Sequence, residues 1–140
     1  MIKVNFYDKV NDGLIKFAVI VSRYKDKWVF CRHKSRSTFE IPGGHREEGE
    51  TATAAAIREL SEETGAKDFN IYPVCVYSVK ENGKEESFGM LYYAEILEFE
   101  KELKFEIESI HLFDSMPDEW TYPQIQPKLM EEVIHRKGIS

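Results

Sequence analysis

Apolar and polar positions along the chain follow two different periods, and the switches between them mark the elements. Leu14–Val21 (LIKFAVIV) is apolar and β-branched almost throughout, the signature of a strand buried on both faces or nearly so. A polar break at Tyr24–Lys27 and a second run, Trp28–Arg32 (WVFCR), predict another strand paired back on the first. Arg32–Thr38 is basic and polar, a loop or sheet edge, and Phe39–Ile41 predicts a very short strand ended by Pro42, Gly43 and Gly44. The period then becomes helical. Thr51–Thr64 is rich in Ala, Glu and Leu, with Ala56, Ile57 and Leu60 at helical spacing. Thr51 or Thr53 can cap its start, and Gly65 stands where a helix ends on a left-handed residue. Ile71–Lys80 and Phe88–Phe99 read as strands joined through Asn82-Gly83, a hairpin signal, and Ser109–Phe113 as one more strand. From Pro123 to Arg136 the apolar positions Ile125, Leu129, Met130, Val133 and Ile134 predict a second amphipathic helix. Strands, helix, strands, helix is the order of a mixed α+β sandwich with helices on a sheet.

Composition narrows the class. With 140 residues, 42% hydrophobic and 13% aromatic, the chain has the makeup of one globular domain over 1–140, too aromatic for intrinsic disorder. A formal net charge of −6 argues against holding nucleic acid by bulk positive charge. Cys31 and Cys75 form neither a disulfide framework nor a metal-binding pair, and read as buried or idle thiols in a reducing compartment. The N-terminus has no signal-peptide pattern, and the longest purely apolar run, Phe17–Val21, is far short of the ~20 residues a membrane span needs. A cytoplasmic protein without a membrane partner is expected.

The chemistry concentrates in Gly44–Ala66. On a helix, Glu59, Glu62 and Glu63 project to one side, where like charges three or four apart cost a few tenths of a kcal/mol per pair. A divalent cation would remove that repulsion, and hard oxygen ligands in this number suit Mg²⁺ or Mn²⁺. A solvated helix face is the alternative for such a cluster taken alone. Pro42, Gly43 and Gly44 let the backbone turn and approach a ligand closely, and Arg58 can hold a neighbouring carboxylate in a bidentate pair.

The segment resembles the Nudix box, G-x5-E-x7-R-E-U-x-E-E-x-G-U, with U a bulky aliphatic. Here it is Gly44, Glu50, Arg58-Glu59-Leu60, Glu62-Glu63, Gly65 and Ala66, the last smaller than usual. Seven fixed identities at average residue usage would coincide by chance on the order of once in a million chains. The resemblance implies an α/β/α sandwich around a mixed sheet, and Mg²⁺-dependent hydrolysis of a diphosphate linkage in a nucleoside diphosphate derivative. It implies Glu59, Glu62 and Glu63 as metal ligands, with Gly44 beside the metal and Arg58 orienting Glu59. Glu50 would lie close to the metal at the start of the helix.

Family members also recruit a further acid or base from a later loop. Glu106 and Glu108 are the candidates here beside Glu50, with Glu85 and Glu86 as competitors. Arg32, His33, Lys34 and Arg36 form a basic cluster that could contact substrate phosphate, and among the histidines His45 is expected near the site. Phe39, Trp120 and Tyr122 are candidates to stack on a nucleobase, core packing being the alternative. A small chain without a basic face resembles the nucleoside triphosphate pyrophosphatases, including those of oxidised purines such as 8-oxo-dGTP. RNA 5′-end pyrophosphohydrolases and hydrolases of nucleotide sugars or dinucleoside polyphosphates share the box. A non-catalytic nucleotide sensor is disfavoured by the complete acidic set. A homodimer through the final helix or through Phe88–Phe99 is left open.

Overall fold

The computed structural model describes residues 1–100 and 107–139, and only the backbone of residues 107–109. Its elements are β1 (Ile2–Tyr7), a 3-10 turn (Asp12–Leu14), β2 (Ile15–Tyr24), β3 (Lys27–His33), β4 (Gly43–His45) and α1 (Ala52–Thr64). They continue as β5 (Ala66–Glu81), β6 (Ser87–Phe99), β7 (Ile107–Phe113) and α2 (Gln126–Lys137). The sheet runs β1-β5-β6-β2-β3-β7, with β4 paired to β2. Among the described strands, only β2 and β6 pair in parallel. The mixed sheet flanked by two helices is the architecture expected from the element order.

The near-continuous apolar run in β2 follows from its central place, because a strand covered on both faces has no polar side. Ala18 and Ile20 face α1 with Val29, Leu60, Tyr92 and Ile96. Val19 and Val21 face α2 with Phe30, Leu91, Leu129 and Val133. β2 turns into β3 at Lys25 and Asp26, both at positive φ, a two-residue turn whose twist suits the hairpin.

α1 is capped by the Thr51 hydroxyl, which accepts from the Ala54 N–H at 3.0 Å, and ends at Gly65, φ 75°. Thr53 instead meets the Tyr92 hydroxyl. The buried face is Ala55, Ala56, Leu60 and Thr64, while Ile57 stands at its margin, 42% exposed. α2 starts at Gln126, three residues later than the apolar pattern, because Pro123–Ile125 form turns and Pro127 occupies the first helical turn.

Two strands differ from the sequence pattern. β1, which the pattern did not predict, pairs with β5 from Ile2↔Glu81 to Tyr7↔Val76. Phe39–Ile41 is not a strand but two isolated bridges, Cys31↔Glu40 and Phe39↔Trp120. The strand lies one step on, at Gly43–His45, where the glycines serve close approach rather than a turn. A Cβ on Gly43 would lie 2.6 Å from the Ala18 carbonyl oxygen, so only glycine lets β4 sit against β2. Asn82-Gly83 does make the β5–β6 turn, with Gly83 at φ +77°, inside a connection spanning 82–86.

Candidate active site

The site forms where α1 meets β4. Glu63 Oε1 accepts from the Gly43 N–H at 2.6 Å, and a Cβ on Gly44 would fall 2.5 Å from the Glu59 carboxyl carbon. Glycine at both positions therefore lets two carboxylates press against a strand. Arg58 organises the other side. Its Nε and Nη2 donate to the two oxygens of Glu50 at 2.8 and 3.0 Å, and its Nη1 donates to Glu59 at 2.7 Å. Nη2 also donates to the His45 carbonyl, and Glu62 lies 3.6 Å from Nη1. The fork is charge-assisted and bidentate, so both carboxylates are fixed in orientation.

Glu50 is thereby a partner of Arg58. Hydrogen bonds from Arg58, then the Glu47 N–H, pull its carboxyl down to about 2, which keeps it ionised and makes it a weak base. Arg46 fastens the loop before it: Nε donates to the Glu50 carbonyl at 2.6 Å, and Nη1 and Nη2 reach Asp12. Glu86 is occupied too, accepting from Tyr7 and Ser78 across β1 and β5, and those bonds lower its pKa. Glu106 lies outside the described residues. Glu108 falls within β7, but its side chain is likewise outside them.

Glu63 sits in the opposite electrostatic situation. Burial pushes its carboxyl up to about 8, reinforced by the charges of Glu59, Glu40 and Glu62 and opposed by the Gly43 N–H. Two residues of the basic cluster lie beside these carboxylates. His33 Nε2 lies 3.0 Å from Glu40 and 3.4 Å from Glu63, and Arg36 donates to the second oxygen of Glu40 at 3.0 Å. One donor atom from each of His33, Glu40 and Glu63 lies within 4.8 Å of the others. The sequence signal for this was the basic cluster itself. His33 is its inner member, and β3 carries it to the carboxylates while His45 packs its ring on Phe17 at 4.6 Å.

Beside β4, on the α2 side of the sheet, lies a cavity of about 380 Å³, within the usual range for small-molecule sites. Phe17, Tyr77, Ile125 and Leu129 are among its apolar walls, and Glu40, Ser87, Tyr122, Gln126 and the His45 expected near the site are its polar lining, with Gly43 and Gly44 at the β4 edge. Of the predicted base-stacking residues, Tyr122 lines the cavity and is 42% exposed. Trp120 stands edge-on to Phe30 at 5.3 Å, and Phe39 packs on His111 and Phe113, so both contribute to the core. Arg36 donates to Glu40 at the margin of the cavity, whereas Arg32 lies within β3 opposite Ser109.

Comparison with known proteins decides the family. The NUDIX domain model matches residues 14–120. The chain belongs to the Nudix hydrolase family. It is 33% identical over 119 residues, 84% of this chain and 73% of the relative, to a Bacillus subtilis (strain 168) protein named "Putative 8-oxo-dGTP diphosphatase YtkD". The crystal structure of a mutant of the Bacillus subtilis pyrophosphohydrolase BsRppH superposes with TM-score 0.80 at 26% identity, covering 99% of this chain and 93% of that one. A MutT NUDIX hydrolase from Burkholderia pseudomallei shares the fold at TM-score 0.63 and 19% identity, over 84% of this Nudix chain and 95% of its own. This Nudix hydrolase therefore cleaves diphosphate bonds. None of its described helices is long and apolar enough to cross a membrane.

Proposed function

We propose that the chain is a Mg²⁺-dependent nucleoside triphosphate pyrophosphatase that accepts oxidised purine nucleotides such as 8-oxo-dGTP. The observation that carries this reading is the walled cavity ending on Gly43 and Gly44, the strand against which Glu59 and Glu63 press. A base held there would leave its phosphates at the acidic helix. The name of the Bacillus subtilis relative supports the same substrate class.

The residues fit a hard divalent cation. Glu59, Glu62 and Glu63 offer only oxygen donors, and buried Glu63 is crowded by like charges that a cation would neutralise. Bound Mg²⁺ would supply charge neutralisation for the polyphosphate and a water of lowered pKa. Arg58 holds Glu50 and Glu59 in place. Gly43 and His33 fix Glu63, and Arg36 offers a cation to substrate phosphate at the cavity margin. In the reaction a water oxygen bonds to phosphorus, the bridging P–O bond breaks, and a helix carboxylate takes the water's proton. The products are nucleoside monophosphate and pyrophosphate.

A second reading, pyrophosphate removal from an RNA 5′ end, has the likeness to the pyrophosphohydrolase structure in its favour. The basic cluster gives it little support, because His33 and Arg36 are both paired with Glu40. The test is turnover with Mg²⁺, and with EDTA as control, on nucleoside triphosphates, 8-oxo-dGTP, nucleotide sugars, dinucleoside polyphosphates and triphosphorylated RNA. EDTA-sensitive release of monophosphate and pyrophosphate from free triphosphates is expected. Preference for RNA with a steep salt dependence would replace this reading with the second one. Tight binding without turnover would make the chain a sensor. The two free thiols accord with the cytoplasmic location proposed here.

A further inference from the structure

Gln126 is the first residue of α2 and is only 8% exposed, an unusual place for an uncharged polar side chain unless both ends of its amide are used. Its Oε1 accepts from the buried Ile41 N–H at 2.8 Å. That partner is a donor, so the amide orientation is forced: oxygen to Ile41, nitrogen the other way. Among the described residues nothing accepts from that nitrogen, and Gln126 lines the cavity beside β4. The same amide therefore presents an N–H₂, and no lone pair, to whatever occupies the cavity. The anchoring is stiff, since Ile41 precedes Pro42, whose carbonyl takes the Ile20 N–H at 2.9 Å, and is followed by the Gly43 that binds Glu63.

We infer that Gln126 is a specificity-determining residue: its amide N–H₂ selects purines that present a carbonyl oxygen to the cavity, as guanine and 8-oxoguanine do, over adenine, whose exocyclic group is itself a donor. The inference rests on the triphosphate reading above and sharpens it to oxopurine nucleotides. Binding a donor against a donor leaves both unpaired once the base is seated, the situation in which polar discrimination is strongest. Apolar walls from Ile125 and Leu129 pack on any base without distinguishing one from another, so selection has to come from the polar lining, in which Glu40 is engaged by His33 and Arg36 while Gln126 keeps an amide donor to spare.

The test is Gln126→Glu, which keeps an oxygen for the Ile41 N–H and replaces the N–H₂ by an acceptor in nearly the same volume. Steady-state kinetics with Mg²⁺ on 8-oxo-dGTP, dGTP and dATP would be compared in both proteins. In the variant, kcat/KM for the two oxopurine nucleotides should fall on the order of tenfold or more, mainly through KM, relative to dATP. Because this is a ratio between substrates on one preparation, partial unfolding of the variant cannot mimic it. Equal losses on all three substrates would show a structural role alone and overturn the inference, as would an unchanged ratio. A wild type that releases pyrophosphate from none of the three would overturn the triphosphate reading itself, and this inference with it.

Discussion

A Nudix box specifies residue types, but at residue scale the two ends of this one carry opposite electrostatic loads. Glu63 is an acid held in a disfavoured place, buried among Glu59, Glu40 and Glu62. Glu63→Gln keeps an oxygen for the Gly43 N–H and abolishes a titration that folding displaces upward from 4.5 to about 8, a cost to stability felt above the unfolded value, so at neutral pH the metal-free protein should melt at a higher temperature than wild type. Turnover should nevertheless fall by about two orders of magnitude or more, and Glu62→Gln, at a more exposed position, should lose turnover without that gain. Calorimetry in EDTA beside initial rates in Mg²⁺ checks both, and near-wild-type rates in the two variants would sink the ligand assignment. Glu50 behaves in the opposite sense. Its carboxyl titrates near its ordinary 4.5 when unfolded and at about 2 when held by Arg58, so the folded state binds fewer protons between those values. Its contribution to stability is present above the unfolded value and is lost as pH falls through the folded one. Urea unfolding midpoints from about pH 5 down to about pH 2 should therefore drop more steeply in wild type than in Glu50→Gln. Parallel slopes would mean that Glu50 and Arg58 do not pair in solution.

At the scale of elements, adjacent glycines of β4 have different neighbours and should fail differently. A side chain on Gly43 would strike the backbone of β2, which cannot move without breaking the pairing Val19↔Gly43. Gly43→Ala should cost about 1–3 kcal/mol of stability by overpacking. On Gly44 the obstacle is the carboxyl end of Glu59, which can swing aside, so Gly44→Ala should keep its melting temperature and lose turnover. Melting curves and rates on the pair decide it. The pattern of losses reversed would misplace β4. This strand also shows where sequence reading ran out. The helix of the box was legible because Ala55, Ala56 and Leu60 mark its buried side and Thr51 and Gly65 its ends, all local signals. β4 was not, since its glycines carry no apolar period and their meaning depends on how closely β2 passes, leaving a Cβ on Gly43 only 2.6 Å from the Ala18 carbonyl oxygen. β1 was hidden for a similar reason: its short IKVNFY run becomes a strand by pairing with β5, more than sixty residues on. His33 and Glu40 reach the site through β3 and a single bridge, contacts that no spacing encodes.

For the whole molecule, the sheet separates two functions that meet along the Glu40–His45 segment: α1 supplies carboxylates on one face, while α2 walls the cavity on the other. The two cysteines lie in different parts of this arrangement and can report on each. Cys31 is fully buried on β3 and bridged to Glu40 through both backbone bonds, with the charges of Glu63 and Glu40 adding to burial in raising its pKa. Cys75 is buried on β5 under Leu129, Met130 and Val133, and burial pushes it up to about 11. Neither thiol should react with an aromatic disulfide in the native state, so labelling measures opening. Exposing Cys31 requires separating β3 from Glu40 and hence dismantling the carboxylate site. Exposing Cys75 requires only that α2 lift from the sheet. Mg²⁺ bound at Glu59, Glu62 and Glu63 stabilises the intact site by RT ln(1 + [Mg²⁺]/Kd), so at a hundredfold excess over Kd the labelling of Cys31 should slow about a hundredfold. Cys75 should slow much less, because its opening leaves the metal in place. Peptide-resolved labelling rates with and without Mg²⁺ separate the two. Equal protection of both thiols would show that the faces open only together, and no protection of either would place the metal somewhere other than α1.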